Sequence, residues 1–403
     1  MMWGSRLRWL LIGFVSLPLG MARADMLSPE PYLLVRSMRM LQDQVASGKP
    51  EALPMLNRVL GHIAAQLQAA NPDVWQKPAN AYAIVIYLLN GGNPQVVRTI
   101  LTTTKLDGIS PKLVAGSLAY ADGNPLGIVE NFSEELPPDV PSELIASISL
   151  VTAAQLAAID VPTALKRLDY IRLTAPGTLL EEAALRRGLM MAANLGDKDK
   201  VRLLARNYLQ RFALSPYSED FFRQLVDAVM VLKAKISNDE IEEMASLAWT
   251  GARMPFYLRI ARGAIVGGDM QRARFMSEKA EALAQSLKAD DTQARLYLGI
   301  SNVGTEKTDD AMKMLSELPR DRLHERDVKL LEAAAAMGGK ILEQPSADVA
   351  ETPQRSVVRA GAAPTDARAK TGAPKPAIAV DPMIDETRKK LDAIDALLGK
   401  ARK

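Results

Sequence analysis

The sequence predicts an all-α protein in which degenerate tetratricopeptide-like hairpins stack as an α-solenoid. Three observations lead to this prediction. Apolar residues recur three or four positions apart along residues 31–343, and the long alternating runs typical of strands are absent. Aromatic residues make up only 5% of the 403 residues, which disfavours a β-rich core. A turn signature also recurs about every 36 residues.

The first element, residues 1–24, has the pattern of an export signal. Arg6 and Arg8 precede an apolar run over residues 9–17, and Ala22-Arg23-Ala24 forms an A-x-A cleavage site. The run is shorter than the ~20 apolar residues that a membrane-spanning helix needs. We therefore expect cleavage before Asp25 and a mature protein in the periplasm without a membrane span.

The net charge of the chain depends on that segment. Of the 50 Lys and Arg residues, Arg6, Arg8 and Arg23 lie in it, and they account for the formal charge of +3. The rest of the chain carries 47 basic and 47 acidic side chains. A formally neutral mature chain weakens the case for a nucleic-acid or anionic-membrane partner. Because the chain has no Cys, disulfides and thiolate metal sites are excluded.

The second element, residues 25–343, is predicted to be a helical-repeat domain. Its first apolar stripe stops at Gly48, a residue type that often ends a helix. The stripe consists of Leu33, Leu34, Met38, Leu41 and Val45. Similar stripes run through residues 53–67, 81–89 and 144–156. Their spacing of three or four positions predicts amphipathic helices.

A recurring turn signature divides this domain. At each mark a helix ends at Gly or Asp, a polar residue or Pro follows, and a new apolar stripe begins. The marks are Gly92-Asn93-Pro94, Gly123-Asn124-Pro125, Asp160-Val161-Pro162, Gly196-Asp197, Gly268-Asp269 and Gly304-Thr305. They are separated by 31, 37, 36, 72 and 36 residues, and the missing mark falls near residues 233–235. Gly accepts the left-handed conformation that ends a helix, Asn, Asp or Thr can cap the next one, and Pro suits its first turn.

A helix pair about every 36 residues is typical of an α-solenoid, closest to the ~34-residue tetratricopeptide class. Single pairs cannot bury their apolar faces alone, so neighbouring pairs share a core. The full tetratricopeptide pattern of Trp, Leu-Gly, Tyr and a later Pro is not satisfied in any unit, so the repeats are degenerate. An irregular helical domain with evenly spaced turns remains an open alternative.

The last two elements differ from the repeat domain. Residues 344–381 are rich in Pro and Ala without an apolar stripe, which predicts a disordered linker with a reach of roughly 30–40 Å. Residues 382–403 are predicted to form an amphipathic helix. Its apolar face, a candidate for docking on a partner, consists of Ile384, Leu391, Ile394, Leu397 and Leu398. The alternative is that this helix folds back on the repeat domain or frays.

The sequence contains none of the short motifs that mark common catalytic, metal and nucleotide-binding sites. It has no G-x-G-x-x-G, Walker, H-E-x-x-H or G-x-S-x-G motif. His62 lies in an apolar stripe, where we expect a satisfied structural histidine, and His324 lies in a charged run typical of a solvated helix start. The acidic groups at residues 181–182 and 238–243 are interpreted as helix starts. We therefore predict no catalytic, cofactor-binding or metal-ligating residue, no small-molecule substrate and no enzyme activity.

One stretch supports a resemblance to a known family. Residues 31–43 read Pro-Tyr-Leu-Leu-Val-Arg-Ser-Met-Arg-Met-Leu-Gln-Asp. With the signal, the Cys-free helical body and the Pro/Ala-rich tail, they make the chain resemble the MotC family of periplasmic flagellar-motor proteins. This resemblance implies a non-enzymatic role in motor rotation. It further implies binding to the periplasmic part of the stator subunit MotB, and help with the folding, placement or coupling of that subunit. It supplies no active-site residues.

Two alternatives from other classes remain open on the sequence alone. One is a general envelope assembly scaffold of the tetratricopeptide type that is unrelated to motility. The other is a helical peptidoglycan-cleaving enzyme. Such an enzyme needs a cleft with paired carboxylates and aromatic walls, and only Trp75 and Trp249 remain after removal of residues 1–24.

Overall fold

A computed structural model describes residues 29–106, 108–133 and 140–343, and every regular element in these ranges is helical. The all-α prediction is therefore confirmed. The predicted signal segment, the linker over 344–381 and the helix over 382–403 lie outside the described residues. The docking face assigned to Ile384, Leu391, Ile394, Leu397 and Leu398 stays a prediction for the same reason.

The described ranges contain seventeen α-helices and three short 3-10 turns. The α-helices are α1 (Pro31–Ala46), α2 (Ala52–Gln68), α3 (Pro78–Leu89), α4 (Pro94–Thr103), α5 (Pro111–Ala121), α6 (Pro125–Phe132), α7 (Ser142–Leu156), α8 (Val161–Thr174), α9 (Leu179–Asn194), α10 (Lys198–Arg211), α11 (Ser218–Leu232), α12 (Asn238–Ser246), α13 (Thr250–Val266), α14 (Met270–Leu287), α15 (Thr292–Asn302), α16 (Thr308–Ser316) and α17 (Glu325–Leu342). The 3-10 turns are Pro72–Gln76, Lys233–Lys235 and Arg320–Arg322. We call the odd-numbered α-helices first helices and the even-numbered ones second helices.

The predicted turn marks lie between the two helices of a pair. At the mark before α4, the Asn93 side chain accepts hydrogen bonds from the backbone N–H groups of Gln95 and Val96, as an N-cap does. Asn124, Asp160, Asp197 and Asp269 cap α6, α8, α10 and α14 in the same way. At the first mark the left-handed residue is Gly91, with a φ of 95°, rather than Gly92. At the last mark, α16 begins after Lys307 without a side-chain cap.

The turn that lacks a glycine is closed by an arginine from the next pair. Between α11 and α12, Lys233 adopts a φ of 50°, which is unusual for a residue with a side chain. The buried Arg272 of α14 donates to the carbonyl oxygens of Lys233 at 3.1 Å and Ile236 at 2.7 Å. Ser237 and Glu240 then form a reciprocal capping box at the start of α12. A long-range contact therefore replaces the local glycine signal at this turn.

The first helices stack in sequence over the C-terminal half of the described chain. Helix α9 contacts α11, α11 contacts α13, α13 contacts α15 and α15 contacts α17. One continuous hydrophobic cluster runs through these helices and the second helices beside them. This arrangement is the one that stacked helix pairs produce, because each pair buries its apolar face against the next.

The N-terminal half departs from strictly sequential stacking. The Gln42 side chain of α1 donates to the carbonyl oxygen of Asn90, and the Asn90 amide donates to the hydroxyl of Ser147 on α7. In the turn after α1, a Cβ on Gly48 would overlap the backbone of Leu214, which lies between α10 and α11. In a linear solenoid each pair contacts only its neighbours. Here the first pair also closes against the fourth and the fifth.

Second helices of successive pairs are joined by ion pairs near the surface. Lys200 of α10 pairs with Asp169 of α8, and Arg202 of α10 reaches Glu243 of α12 at 2.5 Å. Lys279 of α14 continues the series at 3.3 Å from Glu242. Exposed pairs of this kind contribute little to stability individually.

Candidate functional site

Three adjoining pockets form a groove along the first helices α11, α13, α15 and α17. Their volumes are about 220, 300 and 240 Å³ in that order. Pro255 and Arg259 line both the first and the second pocket, and Gln293 lines both the second and the third. We call this surface the first-helix groove. The shared residues make it a continuous surface rather than three separate cavities.

The first pocket is built around an exposed tryptophan at the start of α13. Trp249 is 56% exposed and precedes the first residue of the helix. Its ring lies where a Cβ on Gly251 would be, so a larger residue there would displace the ring. Pro255 lacks an N–H and cannot donate to the carbonyl oxygen of Gly251 four residues earlier. The pocket thus combines an aromatic ring with a backbone acceptor that lacks its usual helical donor.

The second pocket carries two guanidinium groups. Arg259 and Arg262 lie three positions apart on α13, with side chains 44% and 37% exposed. Nη2 of Arg259 lies 2.5 Å from Oε1 of Glu219, whose side chain is 70% exposed. The described residues that line this pocket include both arginines and no carboxylate. The charge of its own lining is therefore positive, and the carboxylates that pair with the two arginines, Glu219 and Asp327, line the neighbouring pockets.

A buried carboxylate connects the helices that line the second and third pockets. Asp327 of α17 is 3% exposed and accepts hydrogen bonds from the hydroxyl of Tyr297 and the amide of Gln293, both at 2.8 Å. Arg262 Nε lies 3.4 Å from the same carboxylate. Burial, together with the hydrogen bond to Asp327, raises the pKa of Tyr297, so this hydroxyl remains a donor. The network ties α13, α15 and α17 together beneath the groove.

A second buried acidic network lies at the start of α9. Glu181 and Glu182 were predicted as acids at a helix start, and they do occupy the first turn, but both are fully buried. Glu182 accepts from Arg186 Nε at 3.0 Å and from the hydroxyl of Tyr208 at 2.7 Å, and Glu181 forms an ion pair with Arg211. Burial, and then the charge of Glu182, raise the pKa of Tyr208. Arg211 comes from α10, whereas Arg186 lies one turn further along α9, and neither pairing was predicted.

The structure contradicts the prediction for one of the two histidines and agrees with the prediction for the other. The prediction that His62 is a satisfied structural histidine is wrong, because α2 places this residue on its exposed face. His324 does mark a helix start, as predicted, since its Nδ1 accepts from the backbone N–H of Arg326 at 3.2 Å and caps α17.

Within the described ranges, no group of three or more His, Asp or Glu side chains is placed to hold a metal ion. In the same part of the chain, no helix has both the length and the apolar character needed to cross a membrane.

The groove was not predicted as a site. The sequence does carry a signal for it, since a tryptophan, a glycine, a proline and three arginines lie within the segment 249–262. Each of these features is common in helical proteins. Only the packing of α15 and α17 beside α13 brings Gln293, Tyr297 and Asp327 to the same surface.

The fold and the groove define an all-α protein of stacked helix pairs with pockets of side-chain size. Comparison with known proteins then places the chain in a family. The profile of the family described as "Chemotaxis protein MotC" matches residues 4–403. A chemotaxis protein MotC of Rhizobium meliloti (strain 1021) is 32% identical over 332 residues, which cover 82% of this chain and 76% of the relative. The chain belongs to the MotC family, as its sequence predicted. No solved structure matches the chain.

Proposed function

We propose that this protein is a non-enzymatic motility protein of the periplasm that binds the periplasmic part of the stator subunit MotB. In this role it assists the placement, folding or coupling of the stator and so supports rotation of the flagellar motor. The observation that carries the proposal is the membership in the MotC family, whose relative in Rhizobium meliloti is named as a chemotaxis protein.

The shape of the groove supports a binding role. The three pockets of the first-helix groove measure about 220, 300 and 240 Å³ and adjoin one another, so they suit successive side chains of a polypeptide. Helical-repeat proteins commonly bind partners along such extended surfaces.

The arrangement of the chain that we propose has four parts. Residues 1–24 are an export signal, residues 25–343 the helical domain, residues 344–381 a Pro/Ala-rich linker and residues 382–403 an amphipathic helix. The mature protein then starts at Asp25. Mass spectrometry of the exported protein tests this start directly, and an intact Met1 would show that the segment is not removed.

Two experiments test the proposed function. In the first, flagellated cells that lack this protein should fail to swim in soft agar, and expression of the full-length chain should restore swimming. In the second, the purified exported protein should capture the periplasmic part of MotB in a pull-down. Normal swimming of the deletion strain would refute the motility role, and the absence of capture would refute the MotB interaction.

A further inference from the structure

We propose that the first-helix groove binds an extended polypeptide segment in which an apolar side chain lies two residues from an acidic side chain. The inference deepens the proposed function, because it names the surface that a protein partner contacts and the chemistry of the bound segment. Three properties of the groove support it: its apolar end, its basic centre and the adjacency of the two.

The apolar end is the first pocket. Trp249 is 56% exposed at its mouth, whereas Phe222 and Phe256, which also line it, are 5% and 2% exposed. A large aromatic ring that stays in solvent above an apolar floor is typical of residues that dominate protein–protein contacts. With a volume of about 220 Å³, this pocket accommodates one apolar side chain.

The basic centre is the second pocket. The carboxylate that faces Arg262 is Asp327, whose side chain is only 4% exposed, so it partners the guanidinium from beneath while the guanidinium remains 37% exposed. The acid that faces Arg259 is Glu219, which lines the first pocket and has a side chain that is 70% exposed. A ligand carboxylate can therefore approach both arginines from solvent, and Glu219 competes with it for Arg259. Guanidinium groups favour carboxylates because they donate two parallel hydrogen bonds.

The adjacency of the two pockets is the basis for the spacing that we propose in the ligand. Because Pro255 and Arg259 line both pockets, the pockets are immediate neighbours. In an extended chain, side chains two positions apart point the same way and lie roughly 7 Å from each other. An apolar residue in the first pocket therefore places the second residue after it, or before it, beside the arginines.

Peptide display tests the inference without any assumption about the natural partner. Random 12-residue peptides are selected on the immobilised exported protein, and selected peptides are measured by fluorescence anisotropy. We expect enrichment of Asp or Glu two positions from an apolar residue, and about tenfold weaker binding when that acid becomes an amide. Selection of peptides without this pattern, or of no peptide, would overturn the inference.

Three variants locate the binding. The double variant Arg259→Gln/Arg262→Gln should bind the selected peptides about tenfold more weakly. Glu219→Gln should bind them about threefold more tightly because it removes the competing carboxylate. Arg206→Gln, in which an exposed arginine on a second helix loses its pairing with Glu243, is the matched control and should change binding less than about twofold. If the double variant does not fold, Glu219→Gln alone decides, and unchanged or weaker binding by it overturns the inference.

The same variants separate this inference from the proposed function. If the wild-type protein captures the periplasmic part of MotB and the groove variants capture it equally well, the groove inference fails and the proposed function stands. If the wild-type protein does not capture MotB but selects peptides with the expected pattern, the proposed function fails and the groove inference stands.

Discussion

Replacement of the buried carboxylate of Asp327 provides a direct test of how the groove is held together. Asp327→Asn keeps the shape of the side chain but removes its charge. Tyr297, whose side chain is fully buried, and Gln293 both donate to this carboxylate at 2.8 Å. An asparagine has only one acceptor oxygen, so one of the two donors would face an amide N–H₂ group instead.

The magnitude follows from these contacts. A hydrogen bond to a charged acceptor contributes about 1.5–3 kcal/mol, and relief of the desolvation of the carboxylate offsets part of the loss. Arg262 adds little to the total, because its side chain is 37% exposed and solvent screens the pair. We therefore expect Asp327→Asn to lower the free energy of unfolding by about 2 kcal/mol and Tyr297→Phe by about 1 kcal/mol.

Urea denaturation followed by circular dichroism at 222 nm measures both effects. The double variant should be less destabilised than the sum of the two single variants, with a coupling of about 1 kcal/mol, because both remove the same hydrogen bond. Glu325→Gln is the matched control, since this acid lies in the same first turn of α17 with a side chain 80% exposed, and its effect should stay below about 0.5 kcal/mol. If Asp327→Asn behaves like this control, or the two single effects add fully, the reasoning is refuted.

Three further predictions concern other contacts. Gly251→Ala should push the ring of Trp249 away from the helix and increase acrylamide quenching of tryptophan fluorescence; unchanged quenching would contradict the contact. Arg272→Ala should lower the free energy of unfolding by about 2 kcal/mol, and with it the urea midpoint, because the carbonyl oxygens of Lys233 and Ile236 lose their donor. A decrease below about 0.5 kcal/mol would argue against the closure of the turn by this arginine. A hydrogen bond from the backbone N–H of Ser237 and one from the Lys198 side chain lower the pKa of Glu240. Near pH 4 the unfolded chain therefore binds more protons than the folded protein. The stability that the ionised Glu240 contributes is lost as the pH falls below about 4.3. In Glu240→Gln the urea midpoint should therefore fall less between pH 5.5 and pH 3.5 than in the wild-type protein, and an equal fall would contradict this assignment.

Local signals in the sequence were sufficient for most of the helices. A cap such as Asn93 and the proline after it act within one turn of the chain, so they can be recognised from a few neighbouring residues. The phase of an apolar stripe is less reliable. Leu33, which belongs to the predicted first stripe, is 40% exposed. Met38 and Val45 of that stripe are buried, and Val35, which the stripe leaves out, is buried beside them. His62 was misread for the same reason, since a stripe indicates a helix but does not fix which face is covered.

The family and the all-α class follow from the sequence alone. Helical periodicity and turn residues are local properties, and the resemblance over residues 31–43 pointed to the family that the profile and the relative then showed. The export signal and the C-terminal helix are also predicted from local composition. Mass spectrometry of the exported protein tests the export signal. Partner binding by a protein that lacks residues 382–403 tests the docking role of the helix.

Only the tertiary structure decided what the paired helices do together. Stacking brings Asp327 against Tyr297, buries Glu181 beside Arg211 of α10, and folds the first pair against Leu214. Such contacts join residues that are far apart in the chain, and no local rule determines which helix faces meet. The first-helix groove exists because packing sets α13 between α11 and α15, which gives ordinary residues on these helices a common surface.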